Sequence, residues 1–197
     1  MMQWVNTPAA LLRRQLTHAF DSSRWHVEGL TDDEYFWEPV PRCWSVRPRA
    51  AAVSPGPCGR GDWVIDGEWP LSTDPPVTTI AWRVVHLAAW TDVYRDWTFA
   101  SATESYVTIE VPGELTASVQ WLHRAQDSFR TEVDAMDDSD FERERPAHWG
   151  QTFPIGALVW QIAVEHLHHG AEIGVIRDLH RGYGRRTPWP TPLATRY

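Results

Sequence analysis

The stretch LVWQIAVEHLHHGAEIGVIRDL, residues 158–179, decides the fold. Around and within it, apolar residues recur at Ile155, Leu158, Ile162, Ile173 and Ile176, the spacing of a helix that turns one face to a core. Into that stripe the sequence sets Glu165, His166 and His169. At about 100° per residue, His169 falls within roughly 20° of Ile162, with His166 and Glu165 flanking it at about 40° and 60°. His168 falls about 120° away and is expected to look outward. A carboxylate and two imidazoles on an aliphatic face are costly to bury unless they are paired or bound to a metal. Chemistry is to be sought first on this helix.

Working outward, three more long helices are legible. Pro8 to Glu28 opens with Thr7 as N-cap and proline at the first helical position, carries Leu12, Leu16, Ala19, Ser23 and Val27 inward, and closes at Gly29. Val77 to Phe99 sets Trp82, His86, Trp90, Val93 and Trp97 on one face, so His86 is the ionisable residue of a tryptophan-rich stripe; Asp92, Arg95 and Asp96 form the expected solvated side. Thr116 to Met136 repeats apolar residues at Leu115, Val119, Leu122, Phe129, Val133 and Met136. Ser105 to Glu110 alternates like an extended segment. The expected fold is an all-α four-helix bundle in a single domain spanning 1–197.

Between the first two long helices the text changes character. Thr31 with Glu34 reads as a capping box on one short turn, and Pro39, Pro41 and Pro48 then exclude a longer helix. Residues 49–76 form an irregular insertion rich in proline, glycine and tryptophan. Trp63, Ile65 and Trp69 give it something to bury, and a hairpin around Asp66-Gly67 would make it an ordered flap. Residues 181–197, with Trp189, read as a non-helical tail.

Composition excludes several functions. A net charge of −8 argues against nucleic acid as a partner. All 18 basic residues are arginine, which removes Schiff-base lysine and P-loop chemistry. Cys43 and Cys58 stand fifteen apart and make neither a zinc ribbon nor a redox motif; a disulfide between them stays open. No apolar run is long enough for a membrane span and no signal peptide is evident, so a cytoplasmic protein acting on a small molecule is expected.

Glu165 and His169, four apart, are neighbours on one helix face, and His86 from another helix could complete a three-ligand set. Two histidines and a carboxylate leave an open position on a zinc-type ion, as catalytic sites do. His166 and Glu172 are competing ligands. Against this stands the plainer reading of His86 as a neutral core histidine and of Glu165 and His169 as a buried polar pair.

The motifs TIAWRVVHLAAW (Thr79–Trp90), EHLHHGAEIGVIRDL (Glu165–Leu179) and DDEYFWEPVPRCWSVRP (Asp32–Pro48), in that arrangement, resemble the DinB/YfiT-like superfamily over roughly Leu11 to Leu179. The resemblance implies a four-helix bundle with a long crossover, commonly dimeric, with a divalent metal between helices. Its metal positions fall on His86, Glu165 and His169, although the commonest pattern has histidine where Glu165 stands. The cofactors implied are zinc or nickel and a low-molecular-weight thiol. Some relatives are similar to thiol transferases that use a metal to activate mycothiol or bacillithiol, and water in the thiol's place would give a hydrolase. The alternative is a non-catalytic bundle that binds a small ligand or a partner, with a degenerate or absent metal site.

Overall fold

A computed structural model describes residues 7–67 and 77–184. The flap residue Trp69 and the tail anchor Trp189 lie outside the described residues. Four long helices make the body: α1 (Pro8–Val27), α3 (Ile80–Phe99), α4 (Leu115–Asp134) and α5 (Ile155–Gly184), with α2 (Asp32–Tyr35) a single turn. Helix α1 packs on α5 and α4, while α3 packs on α4 and α5. This closed ring puts α1 diagonal to α3, and residues 28–79 form the long crossover that joins them. The all-α bundle is as expected.

Helix starts follow their caps. The Thr7 hydroxyl accepts from the Ala10 N–H at 3.2 Å, and the capping box of Thr31 with Glu34 is formed in both directions. Helix α3 begins at Ile80 rather than Val77, because Thr79 is the residue whose side chain accepts from the Trp82 N–H. Gly29 stops α1 at φ +64°. Helix α5 continues through Gly184, so residues 181–184 of the expected non-helical tail are helical.

Two apolar clusters fill the bundle, one around Val84, Leu87, Leu122 and Ile173, the other around Leu16, Phe20, Phe129 and Ile162. Between them lies a polar layer to which each long helix contributes one side chain. His166 of α5 is fully buried, with Nε2 2.8 Å from the Thr91 hydroxyl of α3 and Nδ1 3.2 Å from both Ser23 Oγ of α1 and Gln126 Nε2 of α4. Thr91 and Ser23 donate their hydroxyl protons to the Leu87 and Phe20 carbonyls. The proton on His166 is thereby assigned to Nε2, leaving Nδ1 to accept from Gln126. Burial holds this imidazole neutral, its pKa pushed down to about 3.

The crossover is ordered by Asp66, not by a hairpin turn there. Strand β1 (Val46–Pro48) pairs antiparallel with β2 (Trp63–Ile65). The Asp66 carboxylate behind them accepts from the N–H groups of Ser45, Val53 and Ser54 and from Arg47 Nε, all at 2.9–3.1 Å. Four donors on one buried carboxylate do what the expected turn was meant to do. Cys43 and Cys58 are free thiols.

Other expectations need correction. Trp82, His86, Trp90 and Trp97 are the partly exposed side of α3; Val84, Val85, Leu87, Ala88 and Ala89 are buried instead. Helix α3 is packed against both α4 and α5, so its tryptophans take the one face left partly exposed. Asp96 is buried rather than solvated, accepting from the N–H groups of Thr103 at 2.6 Å and Glu104 at 2.8 Å. Those bonds fold the chain after α3, and residues 106–108 make a turn where an extended segment was expected. A second pair of strands, β3 (Glu144–Pro146) and β4 (Thr152–Pro154), returns the loop at His148 to α3.

Candidate metal centre

Helix α3 supplies His86 and α5 supplies Glu165 and His169. Glu165 Oε2 lies 3.5 Å from His86 Nε2 and 3.3 Å from His169 Nε2. The three ligand atoms all fall within 4.8 Å of one another, a grouping able to hold a metal ion. Their side chains remain 14%, 18% and 14% exposed, so the cluster reaches the surface and is not sealed in the core. All three residues singled out from the sequence meet at one place.

Each is held from behind. His169 Nδ1 is 2.7 Å from Glu172 Oε2, and Arg83 Nε donates to that same oxygen at 2.9 Å. With its Nδ1 proton directed to Glu172, His169 turns Nε2 toward Glu165, the carboxylate–histidine arrangement found behind metal ligands. Glu165 Oε1 accepts from Gln161 Nε2 at 3.0 Å. Trp82 stacks on His86, with centroids 4.5 Å apart at 12°, and its own N–H donates to the Asp66 carbonyl at 2.8 Å. The flap thereby fixes the plane of an imidazole on α3.

The electrostatics follow from this crowding. Burial lowers the pKa of His86, and the nearby His169 adds to the effect. Burial also opposes charge on His169, yet its bonds to Glu165 and Glu172 outweigh it and raise the pKa. For Glu165 and Glu172 burial is likewise overcome, by His169 together with His86 or Arg83, and both carboxyls stay well below the ordinary range. A carboxylate anion and two imidazole nitrogens form a donor set suited to zinc or nickel.

The competing ligands separate cleanly. His166 faces the polar layer of the core, away from Glu165. Glu172 stands behind His169, and with His168 and His169 forms a second, more exposed group. Sequence reasoning passed over Arg83, Tyr106 and His148. Arg83 carries a weak signal, since it precedes His86 by three on α3 as Glu172 follows His169 by three on α5. Tyr106 and His148 carry none, being loop residues brought to Trp90 by the turns on either side.

No curated protein matches the chain. The DinB superfamily profile matches residues 15–173, which include the whole of α3 and α4 and the part of α5 that carries Glu165, His169 and Glu172. A match over most of the chain, joined to a four-helix bundle with a histidine–glutamate cluster between α3 and α5, places this protein in the DinB superfamily.

Proposed function

We propose that His86, Glu165 and His169 hold a divalent ion, zinc with nickel as the alternative, and that this is a cytoplasmic enzyme transferring a mycothiol-type thiol to a small electrophile. When bound, such an ion supplies the Lewis acidity that keeps a thiol as thiolate at neutral pH. The observation that carries the reading is the Glu165 carboxylate set between two imidazole Nε2 atoms on different helices. The protein's part is positional. Glu172 keeps the Nδ1 proton of His169, Arg83 anchors Glu172, Gln161 holds the second oxygen of Glu165, and Trp82 keeps the His86 ring in plane. Three protein ligands would leave such an ion open to a thiol, and Trp82 and Trp90 would give the electrophile an apolar wall.

A second reading draws on the same contacts. His169 lies between two carboxylates, with Arg83 on the far side of Glu172, an ion-pair network that is satisfied without a metal. In that case the bundle binds a small ligand and is not catalytic. Elemental analysis of the purified, tag-free protein after incubation with zinc separates the two. About one ion per chain, lost in His86→Ala, Glu165→Ala and His169→Ala, supports the metal site. Absence of metal in the wild type, or full occupancy in His169→Ala, overturns it.

The reading includes a homodimer. The outward face of α5 exposes Trp160, Val175 and Leu179 along its length, a surface suited to a second copy of the chain.

A further inference from the structure

Two hydrogen-bond donors beside the centre have nothing to donate to. The Trp90 indole N–H and the Tyr106 hydroxyl are both buried and without a partner among the described residues. Leaving one such group unsatisfied costs about 1–3 kcal/mol, and two together call for an explanation. Trp90 is the hub of the aromatic wall, with ring centroids 5.3 Å from His86, 5.3 Å from Tyr106 and 5.2 Å from His148. Tyr106 in turn lies near-parallel to His86 at 6.4 Å. The two donors therefore flank the ring of a candidate ligand. The Trp90 N–H faces the Tyr94 hydroxyl without reaching the distance and angle of a full hydrogen bond to it. The Tyr106 hydroxyl carries a proton that no described residue accepts.

We propose that the Trp90 N–H and the Tyr106 hydroxyl form a donor pair for the carbonyl oxygen of a flat, neutral, apolar compound lying against the Trp90–Tyr106–His148 wall. Both groups donate, so the ligand must accept. The rings are aromatic on several sides, so its body is apolar and flat. Glu165 is an anion nearby, so a neutral carbonyl suits the place better than a carboxylate. The proposal names the electrophile of the reaction above and rests on that reading for its chemistry, though not for binding. With a conjugated carbonyl and a thiol R–SH, the S–C bond forms at the β-carbon and the C=C π pair shifts onto oxygen. Trp90 and Tyr106 donate to that developing enolate, and the thiol proton ends on the α-carbon, so nothing is oxidised or reduced.

Calorimetric titration with acetophenone, ethylbenzene and benzoate tests the pair, on the metal-free and the zinc-incubated wild type and on Tyr106→Phe, Trp90→Phe and Tyr35→Phe. The expected result is a preference for acetophenone over ethylbenzene of roughly five- to tenfold, the worth of one or two neutral hydrogen bonds. Tyr106→Phe and Trp90→Phe should each bring the ratio toward one, and Tyr35→Phe, at a buried phenol of α2, should leave it unchanged. In metal-free protein benzoate should bind more weakly than acetophenone. Equal binding of acetophenone and ethylbenzene, no binding of either, benzoate bound as tightly as acetophenone in metal-free protein, or a preference that survives in both Tyr106→Phe and Trp90→Phe overturns the proposal. A preference in protein that takes up no zinc upholds the donor pair while removing the metal reading; zinc uptake without a preference does the reverse.

Discussion

At the scale of the residue, the proposed metal site rests on groups that stand behind its ligands. Glu172 fixes the tautomer of His169 at 2.7 Å, so Glu172→Gln should weaken zinc binding by about 10–100-fold while leaving the fold intact, read by competition with a chelator. Unaltered affinity would mean that His169 needs no such support. A second residue governs acid stability. Glu34 is buried, and although burial opposes its charge, the Thr31 N–H, Arg177 and Arg181 hold its pKa below the ordinary value. A carboxyl depressed in the folded state stabilises fully above its unfolded pKa, about 4.3, and that contribution fades as pH falls through the folded value. Urea melts should therefore show Glu34→Gln destabilised by about 1–3 kcal/mol at pH 7, with the gap to wild type closing below about pH 4. A gap that is constant with pH would remove the ionised carboxylate as the cause. The glutamate and histidine four apart were legible from helical spacing alone. That His166 belongs to the core and His169 to the cluster at its edge was not, because both lie on one stripe and only the partner helices separate them.

At the scale of the element, the long helices could be read because their apolar periods and caps are local, while the crossover could not. Its organiser is one carboxylate gathering N–H groups from Ser45, Val53 and Ser54, twelve or more residues before it. The same limit explains Asp96: on a helical wheel it joins Asp92 and Arg95, yet the segment 101–104 folds back over it. Glycines in the loops give a test. Gly59, at φ +113°, lies where a Cβ would stand 2.8 Å from Val111 Cγ2; Gly150, at φ +87°, has nothing within 4 Å of that position. Both substitutions by alanine incur backbone strain of about 1–2 kcal/mol, but Gly59→Ala adds a clash inside the crossover. Thermal melts should place Gly59→Ala lower than Gly150→Ala by about 1–3 kcal/mol. Equal melting would mean that the crossover yields at Val111.

At the scale of the whole molecule, the fold class was evident from four amphipathic periods, but the outward face of α5 was not recognised as apolar. Trp160, Val175 and Leu179 are 50%, 60% and 45% exposed, and if two copies pair there, light scattering should report twice 22.6 kDa. Trp160→Glu should return the mass of one chain with zinc uptake unchanged; a wild type that stays monomeric at high concentration would exclude the pairing. The polar layer at His166 bears on the same scale. It draws Ser23, Thr91, Gln126 and His166 from four different helices, and it lies next to Glu165 in sequence and little more than one turn beyond His86. Axial sliding of α5 by one turn, about 5.4 Å, would part His166 from Ser23, Thr91 and Gln126 together and leave its ring unpaired in an apolar interior. The layer therefore acts as a dowel through the bundle. A displacement of α5 large enough to part His86 from Glu165 must first withdraw it, so the alignment of the histidine–glutamate cluster is set in the buried centre of the molecule and not at the cluster itself.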